Sequence, residues 1–306
     1  MRWRPSGSIQ VEDRRGGGGG FGGGGGFGSG GLGGGGIPIP IGGGLGGIVI
    51  TIIIIVVLNL LGGSGSTSGG LGGLGGGSGG GPATSLDPND TSGQFVNAVT
   101  VDVQTFWDNY FASAGKQYPI TVTVLFTDQT QSGCGVASSA TGPFYCPADA
   151  KVYLDTGFFD ELSNRFGASG DFARAYVIAH EFGHHVQDAL GIMDQVAQQQ
   201  QSDPSSSNGL SIRLELQADC LAGVWAHSVY TTPDQANVES ITDQDVQDAI
   251  HAAEAVGDDR IQEQATGRVD PESWTHGSSA SRQKWFNTGY RGGDPQRCDT
   301  FAAGAL

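Results

Sequence analysis

The sequence predicts an α+β domain, mostly helical with a small sheet, standing behind a glycine-rich region and one apolar segment long enough to span a membrane. Three observations carry this expectation. Apolar residues recur at three- and four-residue intervals through much of the chain beyond residue 87. Two β-branched runs stand among those helical patterns. Most of the 55 glycines precede residue 82.

Residues 1–41 open with Arg2, Arg4, Arg14 and Arg15, set against Glu12 and Asp13, and then become glycine-rich. From Gly16 to Leu86 no residue is charged. Glycine brings no side chain to bury and loses the most backbone entropy on ordering, so this stretch reads as flexible linker. A phosphate loop is excluded, because no strand precedes the glycines and no Gly-Lys-Ser/Thr follows. Within the stretch, Ile48–Leu61 is the most apolar run. With the uncharged residues before it, residues 42–61 reach the roughly 20 residues that cross a hydrocarbon core as a helix. The arginines on its N-terminal side place the N-terminus in the cytoplasm and the following domain outside, as a single-pass protein, although they lie farther from the span than the rule prefers. Residues 62–86 are a second linker, rich in glycine and serine, and the folded domain is expected over 87–306.

Each element of that domain has its own signal. Phe95, Val96, Val99, Val103, Phe106, Trp107, Tyr110 and Phe111 form one helical stripe, closed by Gly115 and Pro119. Ile120–Phe126 and Lys151–Asp155 read as strands, and Gly142–Pro147 between them as loop or edge strand. Helices are expected near 157–166, 171–189, 209–230, 242–256 and 279–288. The tract 195–208, rich in Gln and Ser, reads either as a mobile loop over a cleft or as a plain connector.

From residue 87 onward the chain carries 11 Lys+Arg against 29 Asp+Glu, since four of the 15 basic and two of the 31 acidic residues lie in 1–15. So acidic a domain does not hold nucleic acid through phosphate contacts. The four cysteines fit no zinc-ribbon spacing, and two disulfides are expected in an oxidising compartment. Cys134–Cys146 and Cys220–Cys298 are the pairing considered first, with the other pairings open.

The chemistry concentrates in His180-Glu-Phe-Gly-His184, an HExxH motif inside the apolar helical run that begins near Phe172. One turn apart on a helix, His180 and His184 face the same way and can reach one Zn²⁺. Glu181 falls on the neighbouring face, where it can take a proton from water as catalytic base. Gly183 is read as leaving room near the metal. The metzincin continuation is ruled out, because Gln187 and Leu190 stand where its glycine and histidine belong. Glu215 and Asp219, one turn apart in Arg213–Cys220, instead resemble the second gluzincin motif. That resemblance implies Glu215 as third ligand and Asp219 as partner of a ligand imidazole. The partner role suits His180, because a ligating histidine needs its far nitrogen fixed.

Several phrases together resemble the neutral zinc metallopeptidase family of bacteria: Val11–Gly16, Gly142–Pro147, Ala179–Gln187, Arg213–Cys220, Gly257–Gln262, Thr275–Gly277 and Cys298–Phe301. The resemblance covers residues 1–16 and about 90–301. It implies a zincin-like fold behind an N-terminal membrane anchor and a zinc-dependent endopeptidase acting on peptides or proteins, with no particular substrate. Thr275-His276, followed by Arg282, is similar to the C-terminal active-site segment of CAAX-type and heat-shock membrane metallopeptidases. His276 is therefore the candidate oxyanion stabiliser, with Tyr290 second. His185, His227 and His251 read as packing or surface residues. The competing expectation is a zinc-stabilised binding or scaffold domain of the cell envelope, against which the presence of Glu181 argues, since a structural site needs no base.

Overall fold

A long apolar stripe with no proline in it builds the first helix, α1 (Thr91–Ser113), whose N-terminus is capped by Asp90 accepting from the Gly93 amide. Phe95, Val96, Val99, Val103, Trp107 and Phe111 all face the main core, as their spacing predicts. The computed structural model that shows this describes residues 1–15, 86–164, 167–232 and 237–305. Segment 42–61, expected to span a membrane, lies outside the described residues together with both linkers. Among the described residues no helix is long and apolar enough to cross a membrane.

Two short strands lie near the N-terminus, β1 (Arg2–Trp3) and β2 (Val11–Asp13). After α1 come β3 (Thr123–Phe126), the hairpin β4 (Gln129–Ser132) and β5 (Gly135–Ser138), then β6 (Phe144–Cys146) and β7 (Lys151–Asp155). The main sheet runs β2-β3-β7-β6. β2 and β3 are parallel, as are β3 and β7, whereas β6 is antiparallel to β7, pairing Phe144 with Tyr153 and Cys146 with Lys151. β6 therefore forms one edge, in agreement with the loop-or-edge reading of Gly142–Pro147.

The helices that follow are α2 (Phe158–Asn164), α3 (Asp171–Ala189), α4 (Ile192–Ser202) and α5 (Ser207–Thr231). After β8 (Val238–Ser240) come α6 (Asp243–Ala255), α7 (Asp258–Thr266) and α8 (Ser279–Gly292). The mostly helical α+β expectation holds. α3 occupies the expected 171–189. Tract 195–208 is neither loop nor plain connector: most of it is α4 and a short 3-10 turn at Pro204–Ser206. Gln is a good helix former, and α4 buries Val196 and packs Met193 against the core.

The domain boundary differs from the expected one at 87. Residues 1–15 are part of the fold rather than a separate segment: β2 completes the main sheet, Val11 enters the core, and β1 pairs with β8. Two- and three-residue strands give no readable alternation, and the adjoining glycine tract hides them further.

Both expected disulfides are present. Cys134–Cys146 joins the turn of the β4–β5 hairpin to edge strand β6, and Cys220–Cys298 joins α5 to the C-terminal tail.

Candidate metal centre and active-site cleft

Two buried helices meet at the centre of the domain because one position on each is nearly without side chain. A Cβ on Gly183 of α3 would lie 2.9 Å from the Ala218 Cα and 3.0 Å from its carbonyl oxygen on α5. Gly183 thus admits the neighbouring helix, not the metal as the sequence suggested. That contact sits between His180 and His184 on one helix and between Glu215 and Asp219 on the other.

The three expected ligands converge. One donor atom from each of His180, His184 and Glu215 lies within 4.8 Å of the others. His180 Nε2 is 3.2 Å from Glu215 Oε2, and His184 Nε2 is 3.5 Å from Glu215 Oε1. The two imidazole planes stand at 89° to each other. Each ring is fixed from behind. His180 Nδ1 donates to Asp219 Oδ1 at 2.8 Å, the partnership the sequence assigned. His184 Nδ1 donates to Gln187 Oε1 at 2.9 Å, and the Gln187 amide is oriented by donating to the Leu214 carbonyl and to Gln217 Oε1. A donated Nδ1–H leaves Nε2 as the lone-pair atom on both rings, which is the form a metal needs. Two nitrogens, a carboxylate and fixed tautomers form a donor set that fits Zn²⁺.

Asp219 is fully buried and anchored by more than the imidazole. Arg282 of α8 donates to it from Nε at 2.8 Å and from Nη2 at 3.0 Å, and the Tyr176 hydroxyl donates at 2.5 Å. Burial pushes the Asp219 carboxyl up, but the Arg282 and His180 charges outweigh it and hold its pKa below the usual value. For His180, burial opposes the charge, while Asp219 and Glu215 push the pKa up to about 10.

Glu181 is 7% exposed and accepts no side-chain hydrogen bond among the described residues. Burial raises its pKa against the pull of the two histidines. A carboxylate with no fixed partner, beside the ligand group, can take up and release a proton.

His276 sits in a loop that packs on α5 close to Glu215. A Cβ on Gly277 would touch Ile212 and Leu216, and the His276 charge helps hold the Glu215 carboxyl low. Asp258, at the start of α7, shapes that loop. Its Oδ2 accepts from the amides of Thr275, His276 and Gly277 at 2.8, 2.6 and 2.9 Å, and its Oδ1 accepts from His276 Nδ1 at 3.1 Å. Tyr290 does not join the group; it stacks on Phe286 and meets His227 and Tyr230 edge-on. His185 is a packing residue, bonded to the Pro119 carbonyl and Tyr145. The sequence reading gave no role to Asp258, Gln187 or Tyr176, and noted Arg282 only as part of the segment that follows His276. The phrase Gly257–Gln262 was visible, but nothing in its spacing ties Asp258 to a histidine eighteen residues on.

A cleft of about 510 Å³ opens over the ligands, with His184 and Glu215 in its lining. Phe144 and Tyr145 of edge strand β6 and the β4–β5 hairpin line it too, along with Met193 and Val196 of α4.

The family described as "Putative neutral zinc metallopeptidase" matches residues 1–301, a span that holds every residue of the centre. This chain belongs to that family. Two relatives are similar to it: Uncharacterized protein YpfJ of Escherichia coli (strain K12), 46% identical over 219 residues, and Uncharacterized protein Rv2575 of Mycobacterium tuberculosis (strain H37Rv), 54% identical over 187 residues. The first match covers 71% of this chain and 74% of the relative, the second 60% and 62%. No solved structure matches. Membership in the neutral zinc metallopeptidase family agrees with the resemblance read from the sequence and with zinc as the ion the donor set suits.

Proposed function

We propose that the protein is a zinc-dependent endopeptidase in which His180, His184 and Glu215 hold the metal, Glu181 is the catalytic base and His276 stabilises the oxyanion. The observation that carries this reading is the convergence of three donor atoms from two helices, with an uncommitted carboxylate beside them. Zinc bound there would supply Lewis acidity, lowering the pKa of water and polarising a carbonyl.

The chain's own groups do the rest. An extended peptide lies along the open edge of β6, the strand that lines the cleft, so that backbone hydrogen bonds align it over the ligands. Glu181 takes the proton of the attacking water and passes it to the leaving nitrogen, so the carboxylate returns to its starting state. His276, held by Asp258 through Nδ1, serves as an imidazolium, its Nε2–H donating to the carbonyl oxygen as negative charge gathers there. Asp219 and Gln187 keep the ligand rings from turning. Two disulfides support a site of action outside the cytoplasm.

The test is Glu181→Ala in the full chain, read as zinc content and as hydrolysis of an unfolded protein. Zinc should stay near one equivalent while hydrolysis falls by at least about 100-fold, the scale expected on removing a general base. Hydrolysis at the wild-type rate would remove Glu181 from the mechanism.

A further inference from the structure

Residues 1–15 and the fold from Leu86 onward stand on either side of the longest uncharged part of the chain, which includes the apolar run Ile48–Leu61. A single crossing there would leave the two on opposite faces of a bilayer. The packing of residues 1–15 requires the reverse.

β2 pairs with β3 in parallel register, Val11 with Thr123, Glu12 with Val124 and Asp13 with Leu125. Val11 is 4% exposed, within the main core. The neighbouring residues satisfy polar groups that have no access to water. Asn97, fully buried on α1, accepts from the Gln10 amide at 2.9 Å and donates to the Ser8 carbonyl at 2.8 Å. Gln104, also fully buried, donates to the Gln10 side chain at 2.7 Å. Trp3 meets Phe95 edge-on. Without residues 1–15, β3 would lose one of its two neighbours and Asn97 its partners.

Two of the arginines that set the expected orientation have work inside the fold. Arg14 pairs with Glu12 and donates to Thr130 and the Gln131 carbonyl. Arg15 pairs with Asp13 and with Asp90, the cap of α1. Glu12 also pairs with Lys151 of β7. Charges neutralised by the domain's own carboxylates are poor signals for holding a segment on the opposite face.

We infer that residues 1–15 and 86–305 occupy one compartment. The inference stands apart from the peptidase reading, because it uses none of the ligand residues.

Gly7 and Gly209 suit a test, since a Cβ at either meets nothing within 4 Å. The native cysteines of the described residues are all in disulfides. Gly7→Cys and Gly209→Cys, each in the full-length chain, are treated with a membrane-impermeant maleimide in cells whose cytoplasmic membrane is sealed, and again after permeabilisation. The two thiols should behave alike, both labelled in sealed cells or both only afterwards. Labelling of one in sealed cells with the other shielded would overturn the inference. Val11→Asp in the full chain supplies a second readout: the domain's melting temperature should fall by more than about 5 °C. An unchanged melting temperature would show that β2 is not seated in the sheet.

Discussion

Asp258 shows at residue scale how a buried carboxylate can shape the loop that carries His276. It accepts three consecutive amides and the His276 ring. Burial raises its pKa, but the His276 partnership and the amides outweigh burial and hold it below the ordinary 3.8. A depressed folded-state pKa contributes stability that is present above 3.8 and lost as pH falls through the folded value. Asp258→Asn should therefore unfold at lower urea than wild type at pH 7, with the gap narrowing as pH drops below about 4. A gap independent of pH would mean that the charge of Asp258 does not matter. His180, Glu181 and His184 were legible in the sequence because helix geometry turns a four-residue spacing into one face. Asp258 was not, because its contact with His276 arises only when α7 and the following loop fold back onto α5.

At the scale of elements, the centre depends on how closely the helices approach one another. Gly183 lets α3 lie against Ala218 of α5, and Gly289 of α8 is in similar contact with α5, where an added Cβ would overlap the Cys220 carbonyl. The second contact brings Arg282 to Asp219. Gly183→Ala has to push α3 and α5 apart by some tenths of an ångström, against a rigid backbone. It should cost about 1–3 kcal/mol of stability and, because the proposed ligands sit on those two helices, weaken zinc binding by at least about tenfold. Isothermal titration of metal beside thermal melting checks both; a loss of stability with unchanged zinc affinity would uncouple the helix spacing from the site. The long helices were legible from their apolar periodicity, and α3 matches its expected bounds. The role of Gly183 was misread because sequence shows that a side chain is missing but not which neighbour fills the space. The hairpin β4–β5, made largely of Gln, Ser, Thr and Gly, offers no apolar alternation and went unseen although it walls the cleft.

Over the whole molecule, one short-range and one long-range disulfide cross-link the fold, with sequence separations of 12 and 78. Cys220–Cys298 spans 78 residues, a loop that contains α6, α7, the His276 loop and α8. In the chain-entropy view, a loop of that length stabilises by roughly 4 kcal/mol. The paired Cys220→Ala and Cys298→Ala variant should therefore melt well below wild type, and addition of reductant should lower the wild-type melting temperature toward it. Equal melting of the two oxidised proteins would remove this bond from the account of stability. The pairing was foreseen as one of several, while the joining of residues 1–15 to the sheet was not, because the uncharged stretch Gly16–Leu86 and α1 lie between β2 and β3, and still more of the chain lies between β1 and β8.

The claim on which the rest depends is that side chains from α3 and α5 hold one zinc ion. Metal analysis of the purified full-length protein, wild type beside Glu215→Ala, tests it most directly. About one zinc per wild-type chain, with most of it lost in the variant while the fold persists, is the predicted result. Equal zinc in both proteins, or none in wild type after exposure to the metal, would contradict it.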